Sequence, residues 1–144
     1  MVLDPSRLGN QVYREGMTLI RGGWPYHPAS KMWRGYEPAL AMYLLHCVKE
    51  LLLRGYDYRT RPWCIELLNY LPLTPADFNT AWHERRAIGR RVVLPPWLGD
   101  EAIHSSHRGV LLWKDPDWYS QFGWDEAPRP PRPDGKMDYV WPDV

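Results

Sequence analysis

Over residues 38–54, Leu40, Leu44, Cys47, Val48 and Leu51 recur at helical spacing, and Met42, Leu45, Leu52 and Leu53 widen the stripe past half the circumference. A helix apolar on most of its surface is the buried one around which others pack. Pro38 suits its first turn, Glu37 suits the positive helix end, and Gly55 supplies the stop. The pattern therefore predicts a central helix over 38–54. An earlier segment has Leu8, Val12 and Leu19 on one side and Arg7, Gln11, Arg14 and Glu15 on the other. Asp4 as cap and Pro5 at the first position start it, and Gly22-Gly23 end it. Pro25 and Pro28 predict an extended connection into the central helix.

Beyond Gly55 the pattern is patchier. A short helix is expected over 62–71, carrying Trp63, Ile65, Leu67 and Leu68. Thr74-Pro75-Ala76-Asp77 starts another, running to about Ile88. Val92, Val93 and Leu94 are the one β-branched apolar run, too short to build a sheet around. Residues 99–114 form the last expected helix, with Asp100 as cap. From Asp115 on, the pattern predicts aromatic loop, then a mobile or polyproline-like run over 127–136, then a closing Tyr-Val-Trp-Pro. The expected fold class is all-α: a single compact helical domain over 1–126 with long irregular loops, and a Pro-rich tail over 127–144 whose YVWP segment docks.

Composition changes this picture in one respect. The chain has 144 residues, enough for a real core, but nine Trp and nine Tyr stand against only two Phe. Trp and Tyr join a polar edge to a large apolar body, which suits wet clefts and stacking platforms as well as packing between short helices. A net charge of +1 gives no global pull on nucleic acid, so any DNA site must be a local patch. Cys47 and Cys64 lack metal spacing and read as reduced core thiols. With no signal peptide and no long uncharged apolar run, the expected location is the cytoplasm.

Three clusters could carry chemistry. His27 to Glu37 gathers His27, Lys31, Trp33, Arg34, Tyr36 and Glu37 just upstream of the central helix; it reads equally as a site and as a helix start with snorkelling side chains. Arg85, Arg86, Arg90 and Arg91 could grip a phosphate backbone or complement a helix end. The last helix brings Glu101, His104, His107, Arg108 and Lys114 close together. Glu101 and His107 lie about 120° apart on a helix and no further Cys/His pair completes a ligand set, so no metal or other cofactor is expected. Proton transfer or phosphate contact by His104, His107 and Arg108 is the better reading.

Composition leads no further, but whole segments do. LDPSRLGNQVYREG, HPASKMWRGYEPAL, PPWLGDEAIHSSHRGVLLWKDPDWY and the final YVWP resemble a small group of bacterial and phage proteins related to the pyrimidine-dimer DNA glycosylases of the endonuclease V type. The likeness spans nearly the whole chain apart from about 59–91 and the proline-rich insert. It is fainter toward the glycosylases themselves, through Leu8, Gln11, the run from Glu50 to Tyr56, and Pro116 with Trp118-Tyr119. The resemblance implies a helical, metal-free enzyme acting on DNA. Such an enzyme uses its N-terminal α-amine to attack the sugar C1′, forms a Schiff base with the help of a glutamate, nicks the strand by β-elimination, and flips out the opposite base. An α-amine suits the task because its pKa lies well below that of lysine.

In those glycosylases the glutamate lies two turns beyond the residue matching Gln11, where this chain has Leu19. The candidates for general acid or base are therefore Glu15 and Glu37. Arg7, Gln11 and Arg14 would face damaged or modified DNA, with His27, Lys31, Trp33 and Arg34 opposite. His104, His107, Arg108 and Lys114 would hold phosphate or move protons. The amine would come from the N-terminus or a lysine. Two other functions remain open: a non-catalytic module on the same fold that binds a nucleotide or a partner, and an accessory protein whose aromatic surface mediates assembly.

Overall fold

The computed structural model describes residues 3–72 and 92–143. Every regular element among them is helical, with no strand. The expected helix from Thr74 to Ile88, and with it Arg85, Arg86, Arg90 and Arg91, lies outside the described residues. The chain divides into two compact units, Leu3–Pro95 and Pro96–Val144.

The first unit opens as the sequence predicts. The Asp4 side chain accepts from the Arg7 amide at 3.0 Å and Pro5 takes the first position of α1 (Pro5–Asn10). The helix then widens into a π-helical segment (Gln11–Gly16) and returns to α-geometry in α2 (Met17–Ile20). The junction residues Gln11 and Met17 both have helical dihedrals, so the three pieces run on without a break. The wide turn changes which residues face inward. The α-period predicts Leu19 on the apolar side, but Met17 and Ile20 are the buried residues and Leu19 is only partly covered. An i→i+5 turn inserts a residue into the register and moves the buried face along by one.

Gly16 is part of the same adjustment. A Cβ there would stand 2.3 Å from Leu44 Cδ2, so glycine is what lets the π segment lie directly on the next long helix. Gly22 (φ +78°) and Gly23 then close the run: the Gly23 amide donates to Thr18 O at 2.8 Å and the Gly22 amide to Leu19 O at 3.0 Å. This is the paired hydrogen-bond pattern of a Schellman stop.

The connection expected to be extended contains a helix instead, α3 (Pro28–Trp33), because His27 caps it and Pro28 fits its first position. The central helix is α4 (Glu37–Leu53), one residue earlier at each end than the pattern predicts. It buries Leu40, Ala41, Leu44, Leu45, Cys47, Val48 and Leu51 against Leu8, Val12, Met17 and Ile20 and against Cys64, Leu67 and Leu71. Each fully buried leucine contributes about 1.5–3 kcal/mol relative to exposure. Gly55 (φ +91°) ends α4 with the same Schellman pattern, Gly55 and Tyr56 amides donating to Leu52 and Leu51 carbonyls at 3.0 and 2.9 Å. Arg54, paired with Glu50 at 2.9 Å, donates to Leu3 O at 2.6 Å and so ties the start of α1 to the end of α4. The expected helix over 62–71 is α5 (Pro62–Glu66) followed by a 3-10 turn (Leu67–Tyr70).

The second unit rests on α6 (Glu101–Lys114), capped by the Asp100 side chain at 2.9 Å from the Ala102 amide. Where loop is expected after Asp115, the structure has α7 (Pro116–Tyr119) and a 3-10 turn (Ser120–Phe122). Asp115 caps α7 by accepting from the Trp118 amide at 3.1 Å, and Pro116 holds its first position. Ile103, Val110, Leu112 and Tyr119 are buried, with the Tyr119 ring stacked on Trp124 at 5.9 Å. The proline-rich run has no regular structure; it crosses α6 at Gly109, whose carbonyl accepts from the Arg129 amide at 2.9 Å. A Cβ at Gly109 would meet Arg129 Cγ at 2.7 Å, which explains the glycine in mid-helix.

Candidate functional site

The expected residues from Arg7 to Glu37 fall in the first unit, and His104, His107, Arg108 and Lys114 fall in the second. In the first unit the π segment presents Tyr13, Arg14 and Glu15 consecutively to solvent. Gln11 is half-buried at its start. Tyr13 lies over Trp63 at 5.6 Å, which in turn meets Tyr58 at 5.9 Å. On α4, the Tyr43 ring stacks on Trp33 at 6.1 Å and 25°. Burial pushes the Tyr43 phenol well above its ordinary value, with Cys47 and the charge of Glu15 adding to the shift. Glu15, itself exposed, is close enough for its charge to act on the Tyr43 phenol.

The other expected residues of this unit carry structural duties as well. Arg7 pairs with Asp4 at 2.8 Å. His27 Nδ1 accepts from the Ala29 amide at 3.1 Å, capping α3. Arg34 Nη2 donates to Pro25 O at 3.0 Å, and Glu37 Oε1 accepts from the Gly35 amide at 3.0 Å. Lys31 is exposed on α3, with no ion pair recorded among the described residues. Burial pushes the thiols of Cys47 and Cys64 up to about 11, so both stay protonated at neutral pH and neither is a nucleophile.

In the second unit one face of α6 carries a second cluster. His107 Nδ1 donates to Ile103 O at 2.8 Å, its ring stacks on Tyr139 at 4.5 Å, and Trp141 meets it edge-on at 5.6 Å. Burial lowers the His107 pKa below its usual value, ahead of an opposing contribution from the Ile103 carbonyl. The imidazole is thus neutral at pH 7, with Nε2 as its acceptor. Lys114 Nζ donates to the Tyr139 hydroxyl at 3.3 Å. His104 Nε2 accepts from the Gly99 amide at 3.2 Å. Ser106 Oγ donates to Ile103 O and accepts from the Val140 amide at 2.9 Å, holding the YVWP segment in place. Arg108 is committed elsewhere: Nε donates to Glu126 at 2.8 Å and Nη2 bridges Glu101 and Glu126. A phosphate would have to displace two carboxylates to reach it.

Among the described residues no three His, Cys, Asp or Glu side chains form a group able to hold a metal ion. No helix among them is long and apolar enough to cross a membrane. Sequence reasoning missed Tyr43, Tyr13, Trp24 and Tyr26 as candidates. The available signal was an aromatic side chain at a position that helical phase, or a turn, leaves in water.

Residues 1–63 match the family model described as pyrimidine dimer DNA glycosylase. The match makes this stretch, less than half of the chain, similar to that family. It covers the π segment, α3 and α4 and ends within α5. No curated protein and no solved structure matches the chain.

Proposed function

We propose that this protein is a DNA glycosylase and abasic-site lyase acting on damaged or modified pyrimidines through an imine. The observation that carries the reading is the coincidence of the family match with the stretch holding Glu15, Arg14, Lys31, Trp33 and Tyr43. In the proposed reaction an amine, the α-amine or a lysine, attacks the sugar C1′ while the base departs and takes up a proton. The attached amine loses a proton, its lone pair then opens the sugar ring by breaking the C1′–O4′ bond, O4′ takes up a proton, and an iminium is left at C1′. Glu15 accepts the 2′ proton, the electron pair expels the 3′ phosphate, and water then releases the amine. Glu15 is preferred to Glu37 because Glu37 is engaged by the Gly35 amide whereas Glu15 is exposed with no hydrogen bond recorded among the described residues.

Arg14, Lys31 and Arg34 are the proposed phosphate contacts of the first unit, with Arg7, Gln11 and His27 ordering the surface from which they project. His104, His107 and Lys114 are proposed as phosphate contacts or proton carriers in the second, with Arg108 positioning α6 against Glu126 rather than gripping DNA. The direct test is cleavage of a duplex carrying one cis-syn thymine dimer. Strand scission at the dimer, with an unsaturated 3′ end, is expected. Scission at a preformed abasic site without any at the dimer would assign lyase activity alone.

A second reading, a non-catalytic binding module, is favoured by one observation. Arg7, Arg21, Arg54, Arg59, Arg108 and Arg129 are each paired with a carboxylate in the same unit, which leaves few cations for a phosphate backbone. A folded sample that shifts its melting temperature with mononucleotides but not with duplex would support it.

A further inference from the structure

The turn between α2 and α3 combines a positive φ at a tryptophan with exposed aromatic rings. Trp24, Pro25, Tyr26 and His27 form a β-turn closed by the His27 amide on Trp24 O at 2.9 Å, with proline at the second position. Trp24 has φ +51° and is the one non-glycine residue with positive φ among the described residues. Gly22 and Gly23 stand immediately before it, so a residue suited to that backbone is available in the same loop, yet a bulky aromatic occupies the strained position. The ring is not sequestered in return: Trp24 is 50% exposed and Tyr26 is 88% exposed.

The backbone beneath them is pinned at four places. The Gly23 amide is held by Thr18 O at 2.8 Å, and Gly23 O accepts from Ser30 Oγ at 2.8 Å. Pro25 O accepts from Arg34 Nη2 at 3.0 Å, and His27 caps α3 through Nδ1. A rigid turn displaying two large aromatic rings in water is preorganised for contact. Its surroundings indicate the kind of partner. Between Glu15 and Glu37 the chain has no acidic residue, and Lys31 and Arg34 follow the turn, while Arg21 before it is held by Glu66 at 2.5 Å. The exposed apolar groups of the turn are aromatic and proline, with no Leu, Ile or Met to make an aliphatic docking patch.

We infer that the 22–27 turn is an aromatic wedge: Trp24 and Tyr26 stack on bases of duplex DNA and unstack the step they enter, while flanking cations meet the phosphates. The inference rests on the DNA reading above and names the element that opens the duplex. It assigns Trp24 and Tyr26 a binding role; neither touches the reacting atoms.

The test uses the full chain, a fluorescent duplex with one thymine dimer, and 2-aminopurine in the opposite strand as reporter of unstacking. Wild type is expected to bind and to raise 2-aminopurine emission. Trp24→Gly removes the ring and places at φ +51° the residue that tolerates it, so the fold is kept and the melting temperature holds. Tyr26→Ala removes a ring that is almost wholly in water. Each variant is expected to lose about tenfold or more in affinity and most of the emission rise. The slope of affinity against salt should stay as in wild type, because no phosphate contact is removed. Trp24→Phe should retain binding. Trp24→Gly and Tyr26→Ala proteins that bind and unstack like wild type would overturn the wedge while leaving the DNA reading intact. A wild-type protein that binds neither this duplex nor an undamaged one at low salt would overturn both.

Discussion

The two units hold themselves together by different physics. The first buries one aliphatic helix, α4, among leucine, valine, methionine and cysteine side chains, and its polar groups look outward. The second has a single long helix crossed by irregular chain, fixed by directional contacts: Ser106 to Val140, His107 under Tyr139, Arg129 to Asp138 at 2.5 Å, and Arg108 between two carboxylates. Area buried is tolerant of chemistry but not of lost volume, whereas directional contacts depend on particular atoms and on protonation. Each unit nonetheless spends a glycine on one close approach, Gly16 on Leu44 and Gly109 on Arg129. The family match lies in the aliphatic unit alone.

The contrast can be broken most severely at Leu44, which is fully buried. Leu44→Ala should cost about 2–5 kcal/mol in chemical denaturation. Gly16→Ala should also destabilise, since its methyl would collide with the Leu44 side chain, and the double variant should lose less than the sum of the two. Additive losses would show that the π segment and α4 do not meet through this contact.

Next in size is chemistry. Glu15→Gln should lower dimer cleavage by about a hundredfold or more, the range for removing a general acid or base, with an unchanged melting temperature because the side chain is exposed. Matching losses of stability and activity would mark Glu15 as structural.

Smaller still, Gly109→Ala should cost about 1–3 kcal/mol, the range for overpacking, because backbone at Ala127 O blocks relaxation at 3.0 Å. The smallest expected effect is one of pH. His107 has a folded-state pKa below its unfolded value, so the unfolded chain binds more protons near pH 6. Its contribution is fully present above the unfolded value of about 6.5 and is lost as pH falls through that value toward the folded one. His107→Gln should flatten the dependence of stability on pH between about 7 and 5. An equally steep dependence in the variant would place the titration elsewhere.

How much of this was legible depended on whether the signal was local. Asp4-Pro5, Asp100 and the glycine stops at 22 and 55 state their roles in two or three residues, and the structure uses all of them. The stripe of α4 announces burial by its width. The π segment has no such sign, because a register shift is imposed by how Gly16 and Leu44 meet across helices; the α-period therefore points to Leu19 and passes over Met17 and Ile20. Helices α3 and α7 each start with Pro after a capping residue, yet the pattern predicts connection and loop there, since short elements give too few periodic positions to count. The engagement of Arg108 by Glu126 was invisible because eighteen residues of sequence separate the partners. The strain at Trp24 was invisible for a related reason: a positive φ at a tryptophan is fixed by its surroundings, not by the residue itself.

The central claim is imine chemistry at a pyrimidine lesion, and borohydride trapping addresses it directly. Folded wild-type protein is incubated with a thymine-dimer duplex, and in parallel with an abasic duplex, in the presence of borohydride. The account predicts a covalent protein–DNA adduct on the dimer substrate, with peptide mapping placing the linkage on the α-amine or a lysine. No adduct on either duplex from a folded sample would contradict it and leave the binding module as the function of this fold.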